Sequence, residues 1–176
     1  PKMKAPESAA DWTASRDQWL ERLKTKSFRA WPAKPEPIVA AEAARVKREG
    51  IEFSAHDFIS QDNILLRLYI AHREGLKPVD LDLVVLNVLD DKTWGEFLAN
   101  VGAAFPEAFD GVTLPAIDRA AFDQERKMHA SMKWGMAYVA PRGVGPTAWT
   151  SNAKERDQIR RRFQLLGMKQ ATARVW

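Results

Sequence analysis

The spacing of hydrophobic and polar residues changes along the chain, and each spacing predicts a different element. Residues 8–26 place four apolar side chains on one helical stripe, which predicts an amphipathic helix packed through its tryptophans: Trp12, Trp19, Leu20 and Leu23. Residues 53–59 and 64–72 have strand periodicity on either side of the turn-forming residues 60–63, which predicts a β-hairpin. The second strand alternates in its pattern, which indicates a place at or near a sheet edge.

Two further apolar runs, residues 81–89 and 135–140, lack this alternation. Such runs are typical of strands covered on both faces, so both are predicted to be interior strands. The second run is followed at once by two prolines and two glycines: Pro141, Gly143, Gly145 and Pro146. Ligands of open α/β sheets bind at the carboxyl ends of the strands, so this loop is a candidate site. A well-formed turn without a function is the alternative interpretation.

Helical spacing predicts three more helices after the hairpin. They cover residues 93–105, residues 118–132 with Asp118 as N-cap, and a segment that begins at Asn152, with Glu155 completing a capping box, and ends at Gly167. Residues 168–176 are interpreted as the approach to a further element.

The region before the hairpin is predicted to be separate from the main domain. Residues 40–48 are rich in alanine and charge and predict a short helix, whereas the prolines of residues 28–37 predict an extended strap. We therefore expect an N-terminal helix and proline-rich strap over residues 1–50, and the main domain over residues 51–176. The chain begins at Pro1 without an initiator Met, which we interpret as processing or trimming.

Composition excludes several classes of site and partner. The 176 residues contain no cysteine, which excludes disulfides, thiolate catalysis and zinc–cysteine sites. No apolar run approaches the roughly 18 residues that a membrane-spanning helix needs, so no membrane partner is expected. Of the net charge of +4, residues 151–176 contribute +5 and the remainder −1. The consecutive basic residues 160–162 do not share one helix face, and no nucleic-acid partner is expected.

Several phrases of the chain resemble a known family. SQDNILLRLYI, DLVVLNVLDD, KWGMAYVAPRGVGPTAWTSN and RRRFQLLGMKQATARVW, in this order, resemble the first half of α/β-hydrolase-fold serine esterases, particularly bacterial proteins similar to acetyl xylan esterases. The resemblance covers residues 51–176. It implies an α/β fold in which an antiparallel hairpin edge leads to parallel inner strands flanked by helices. It also implies ester hydrolysis, with an acylated or acetylated carbohydrate as substrate.

The catalytic signature of that family does not occur in the chain. The family's nucleophile lies in a G-x-S-x-G turn and is followed by an acid and then a histidine, yet none of the seven serines has this context. His56, His72 and His129 all precede the place where the nucleophile would occur. The resemblance therefore implies an incomplete domain, with its Ser-Asp-His triad beyond Trp176 or in a second chain, and the C-terminal half of the same protein as partner.

The first half of such an esterase would still contribute to the oxyanion hole. The family places one backbone donor in the loop after the third strand, which implies the N–H of Leu89 or Asp90. Helix capping is the alternative role for Asp90 and Asp91. The same crevice would be lined by Asp91, Arg142, Gly143, Gly145 and Trp149. No cofactor or metal is expected, and a non-catalytic binding module is the alternative function.

Overall fold

A five-stranded mixed sheet forms the centre of residues 37–149. The computed structural model describes residues 5–28, 37–61, 64–150 and 152–175. The strands are β1 (Ala40–Arg48), β2 (Ile51–Gln61), β3 (Ile64–Arg73), β4 (Leu83–Val88) and β5 (Trp134–Val139), in the spatial order β1-β2-β3-β5-β4. All neighbours are antiparallel except β4 and β5, which run parallel. The fold is therefore a mixed α/β fold.

The helices divide between two compact units of the chain. Residues 37–149 form one unit, which contains α2 (Asp91–Asn100) and α3 (Arg119–Ser131). The two terminal segments form the other, with α1 (Ala9–Arg22), α4 (Ala153–Leu165) and α5 (Gln170–Val175). Within the described residues, no helix combines the length and apolarity that crossing a bilayer requires.

Aromatic side chains form the core of the sheet unit. Phe53 of β2 and Tyr69 of β3 are almost fully buried and lie on the same sheet face as Tyr138 of β5. Phe53 stacks on Phe105 with a centroid distance of 4.7 Å, and Phe97 of α2 stacks on Tyr138 at 4.6 Å. Stacked aromatic pairs add about 0.5–1.5 kcal/mol each to the burial of their surface. These contacts fix α2, and the segment around Phe105 that follows it, against the sheet.

Most elements predicted from the sequence are present. The hairpin of β2 and β3, the inner strand β5 and the helices α1 to α4 occur at nearly the predicted positions along the chain. The prediction that the hairpin forms the sheet edge is wrong, because β1 pairs with β2 and β3 lies between β2 and β5. Asp118 and Asn152 cap α3 and α4, and Gly167 follows α4 with φ +69°. Residues 170–175, predicted only as the approach to an element, form α5. The predicted proline-rich strap lies almost wholly in residues 29–36, outside the described residues.

The prediction of a helix at residues 40–48 is wrong. This segment is β1, an edge strand that pairs with β2 from Ala40 opposite Phe58 to Arg48 opposite Ile51. Ala44 and Val46 face the core whereas Arg45 and Lys47 do not, so a period of two was present in the sequence. Pairing with β2 outweighs the helix propensity of the alanines. The sheet thus begins before residue 50. The domain boundary between residues 50 and 51 stays a prediction.

Among the described residues, strand β4 lies at an edge of the sheet, whereas its sequence predicts an interior strand. Its one partner among the described residues is β5, and four of its side chains are 43–65% exposed: Leu83, Val84, Leu86 and Val88. The inner strand of the parallel pair is β5, which lies between β3 and β4. Helix α1 also differs from expectation, because none of its residues is buried and Trp12 is 49% exposed.

Candidate functional site

The turn from β4 into α2 is held by a reciprocal capping box. The backbone N–H of Thr93 donates to Asp90 Oδ1 at 2.8 Å, and the N–H of Asp90 donates to Thr93 Oγ1 at 2.7 Å. The hydrogen bond from the Thr93 backbone lowers the pKa of Asp90, because it stabilises the charged carboxylate. The capping role considered for Asp90 from its sequence is therefore present in the structure.

The two backbone donors predicted for an oxyanion hole are both engaged. The N–H of Leu89 donates to the carbonyl of Val139 at 2.9 Å, and the N–H of Asp90 donates to Thr93 as described above. Either group would have to leave its partner before binding a ligand. Asp91 is the first residue of α2, and its N–H has no acceptor among the described residues. The first N–H groups of a helix lack intrahelical acceptors and point out of its N-terminus.

The glycine loop after β5 has its own internal hydrogen bonds. Thr147 Oγ1 accepts from the N–H of Gly143 at 3.0 Å and lies 3.1 Å from the carbonyl of Val144, to which it can donate. The N–H of Val144 in turn donates to the carbonyl of Pro141. The predicted site residue Arg142 donates from Nη1 to Gln61 Oε1 at 3.2 Å. These bonds give the loop a defined shape.

Both predicted glycines adopt left-handed backbone conformations and lie against tryptophans. Gly143 has φ +86°, and a methyl group on it would lie 2.8 Å from the ring of Trp149. Gly145 has φ +56°, and a methyl group there would lie 2.7 Å from the ring of Trp94 in α2. The second contact joins the glycine loop to the first turn of α2. The structure therefore brings the two predicted site segments together at the carboxyl end of the parallel strand pair.

A pocket of about 170 Å³ lies beside this junction. Its walls include Tyr69 of β3, Trp94 of α2, Ala140 at the end of β5, and Pro146 and Thr147 of the glycine loop. Apolar surface is added by Leu65, Leu66 and Val112, and charge by Asp57, Arg67 and Asp110. The seven residues predicted from the sequence lie in the segments that follow β4 and β5 and are not among the residues that line this pocket.

The charged wall of the pocket is an ion pair. Arg67 donates from Nε to Asp57 Oδ1 at 2.6 Å and from Nη2 to Asp57 Oδ2 at 2.8 Å, and its Nη1 donates to the carbonyl of Ala108 at 3.0 Å. The hydrogen bonds from Arg67 lower the pKa of Asp57. Burial raises the pKa of the neighbouring Tyr69 to about 12, so its phenol stays neutral at ordinary pH.

The residues that line the pocket were not predicted, although the sequence contains part of the evidence for them. Leu65, Arg67 and Tyr69 alternate along β3 and share one face, and an arginine on the core-facing side of a strand requires a partner. The position of Asp57, opposite Arg67, depends on the register of the hairpin. Because the pairing of the two strands shifts register between Ile59 and Gln61, that register does not follow from periodicity alone.

The structure describes all three histidines, one of which lies beside a serine. His56 Nε2 lies 3.0 Å from Ser54 Oγ, but Ser54 is only 3% exposed and lies within β2. His129 is 1% exposed, and burial lowers its pKa. Over the described ranges, three or more potential metal ligands from His, Cys, Asp and Glu do not cluster at any point.

Comparison with known proteins gives a likeness of fold. No family model and no curated protein matches the chain in sequence. Among solved structures, a candidate acetyl xylan esterase from Bacteroides fragilis NCTC 9343 superposes with a TM-score of 0.56 and 14% sequence identity. The match covers 97% of this chain and 41% of that protein, so the chain spans about two fifths of its length. At this identity the likeness shows a shared fold and nothing of the chemistry.

Proposed function

We propose that the chain forms part of a serine carboxylic-ester hydrolase of the α/β-hydrolase type that acts on acylated, in particular acetylated, carbohydrate. The observation that carries this proposal is the junction of Gly145 and Trp94, where the loops after two parallel strands meet beside a pocket. Reactive crevices of α/β sheets lie at the carboxyl ends of parallel strands. The shared fold with a candidate esterase is consistent with this assignment.

In this proposal, the turn after β4 supplies an oxyanion donor. Ester hydrolysis develops negative charge on the carbonyl oxygen, and a backbone N–H aimed at that oxygen can stabilise the transition state by about 3–4 kcal/mol. We assign this role to the N–H of Asp91, since those of Leu89 and Asp90 already have acceptors. The capping box keeps the donor in place, because Asp90 and Thr93 hold the first turn of α2.

The nucleophile in this proposal comes from a polypeptide segment outside residues 1–176. None of the serines of the chain lies in a G-x-S-x-G turn. That turn follows a strand, so a serine near Asp91 requires a strand parallel to β4 whose carboxyl end lies at the same edge. Both sides of β5 are occupied, by β3 and β4. The outer side of β4 is therefore the place we propose for the partner strand.

The surface of β4 supports this placement. Since the N–H of Leu89 donates toward β5, the N–H groups of Val88, Leu86 and Val84 alternate toward the open side. These three side chains are 65%, 59% and 52% exposed. An independent binding module would be expected to charge, shorten or cover such an edge, because exposed apolar edge strands promote aggregation. A partner strand would pair the open edge and reduce the apolar exposure.

Labelling with a fluorophosphonate tests the proposed function. The gene product is purified from the organism that encodes it, labelled and digested, and the modified peptide is identified by mass spectrometry. We expect the label on a serine of a G-x-S-x-G peptide outside residues 1–176, together with release of acetate from acetylated xylo-oligosaccharides. A Ser54→Ala variant is the control, because Ser54 is the serine that lies beside a histidine. Labelling of Ser54, or no labelling with no acetate release, would contradict the proposal.

A further inference from the structure

We infer that the 170 Å³ pocket binds one neutral sugar ring, with Tyr69 and Asp110 recognising its hydroxyl groups. This inference rests on the proposed function and assigns the alcohol component of the proposed ester substrate to this pocket. The volume restricts the ligand to a small group, since pockets for drug-sized ligands occupy about 300–1,000 Å³. The lining combines apolar walls with a few polar groups, which suits a ring that has both C–H faces and hydroxyl edges.

The apolar part of the lining suits the face of a ring. Trp94, Ala140 and Pro146 lie on the side of the glycine loop, while Leu65 and Val112 contribute from β3 and the loop that precedes α3. The indole of Trp94 lies against the backbone of Gly145. Trp94 is 9% exposed, so it offers the pocket a small apolar surface, and a side chain held in this way loses little conformational entropy on binding.

The polar part of the lining suits hydroxyl groups. The phenol of Tyr69 can both donate and accept a hydrogen bond, and the carboxylate of Asp110 is exposed at the rim of the pocket. A hydroxyl that donates to a carboxylate forms a charge-assisted hydrogen bond, about twice as strong as a neutral one. Arg67 also lines the pocket and interacts electrostatically with both groups, so the polar groups belong to the same lining.

The charge of the pocket disfavours anions. Three donors of Arg67 are already used, two by Asp57 and one by the carbonyl of Ala108. With the charge of Arg67 balanced by Asp57, the carboxylate of Asp110 leaves the wall with one net negative charge. A carboxylate or phosphate ligand would be repelled by that charge.

The same polar wall disfavours an aliphatic acyl chain. An alkyl group in the pocket would remove water from the Asp57–Arg67 pair and from the phenol of Tyr69 without replacing their hydrogen bonds. A sugar hydroxyl replaces the water it displaces with a comparable partner. The sugar rather than the acyl side of an ester is therefore assigned to the pocket.

Binding of methyl β-D-xylopyranoside to the full chain tests the inference without requiring catalysis. Affinity is measured by ligand-observed NMR and calorimetry for the native chain and for Tyr69→Phe, Asp110→Asn and Asp82→Asn. We expect saturable binding that weakens about tenfold in each of the first two variants, since each loses one hydrogen bond. Asp82→Asn is the matched control, an exposed carboxylate at the amino end of β4, and should bind as the native chain does.

Ethyl butyrate serves as the competing acyl probe in the same experiment. Xyloside binding that ethyl butyrate does not displace, and that only the two pocket variants weaken, supports the sugar site. Binding that neither Tyr69→Phe nor Asp110→Asn changes, or butyrate binding without xyloside binding, overturns it. A chain that binds xyloside through these residues but belongs to a gene product without esterase activity would refute the proposed function alone.

Discussion

The ring of Trp94 lies so close to the backbone of Gly145 that a methyl group at position 145 would come within 2.7 Å of it. Trp94 belongs to the first turn of α2, and Gly145 to the loop after β5. Contact at this distance requires a residue without a side chain, and φ +56° at the same position also favours glycine. One residue therefore satisfies two requirements, one of packing and one of backbone conformation.

Replacing Gly145 by alanine should separate these two requirements when it is compared with Gly75→Ala. Gly75 has φ +83°, but a methyl group on it would have no atom within 4 Å, so its alanine variant bears only the backbone cost, about 1–2 kcal/mol. Gly145→Ala adds overpacking against Trp94, which costs roughly 1–3 kcal/mol more. Urea denaturation monitored by circular dichroism measures both losses. Equal losses in the two variants would show that the Trp94 contact does not constrain position 145.

Replacing Asp91 by proline should remove the proposed oxyanion donor while leaving the helix intact. Proline is favoured at the first helical position, and the extended conformation of Asp90 (φ −104°, ψ −175°) is compatible with a following proline. In the assembled enzyme we expect kcat to fall by about 10²–10³ with little change in KM. Asp91→Ala loses the same carboxylate but keeps the N–H, and should retain nearly full kcat. Similar kinetics for both variants would remove Asp91 from the oxyanion hole.

A lysine at Leu86 should destabilise the gene product as the organism makes it, but not the 176-residue chain alone. In the chain, Leu86 is 59% exposed, so Leu86→Lys should change the free energy of unfolding by no more than about 0.5 kcal/mol. Against a partner strand, the ammonium group would be buried without a counter-ion, and a loss of roughly 2 kcal/mol or more is expected. Val79→Lys, at an 86% exposed position, is the control. A small effect of Leu86→Lys in both settings would argue against a partner on β4.

The Asp57–Arg67 pair should make the stability of the sheet unit depend on pH. Arg67 lowers the pKa of Asp57 in the folded state, so the unfolded chain binds the proton more readily. The stabilisation is fully present above the unfolded value of about 4 and is lost as the pH falls through the lower folded value. Asp57→Asn should reduce this acid-side loss in urea titrations made at a series of pH values, whereas Asp82→Asn should not. An unchanged pH profile in Asp57→Asn would show that the pair does not contribute.

Local patterns predicted the elements more reliably than their positions in the sheet. The hairpin, β5 and the caps Asp118 and Asn152 follow from the spacing of hydrophobic residues and from residue types, both of which depend only on residues close in sequence. Whether β4 is an interior or an edge strand of the sheet depends instead on which strands lie beside it. A continuous apolar run does not distinguish a strand covered by its own polypeptide from a strand covered by a second polypeptide. The apolar sequence of β4 is compatible with both cases.

The sequence indicated loops that lie next to the pocket but not the side chains that line it, and the functional role of these loops stays a prediction. Glycine and proline after β5 indicated the loop, because they restrict or free the backbone at known positions. The pocket itself depends on Asp57 and Tyr69, which reach it through the register of β2 and β3. The bonds that occupy the N–H groups of Leu89 and Asp90 likewise depend on tertiary pairing and on Thr93. The bond of Leu89 does not follow from the residues next to it in sequence, whereas that of Asp90 is local to the capping box with Thr93.

The hydroxyl of Thr147 orders the glycine loop in the absence of a ligand. It accepts the N–H of Gly143 and lies within hydrogen-bond distance of the carbonyl of Val144, so the loop is closed by a contact within itself. Because the loop is already ordered, binding of a ligand does not include the entropic cost of immobilising the loop. Affinity at this crevice would then depend on the fit of the bound molecule rather than on induced closure, and free and occupied forms should superpose closely here.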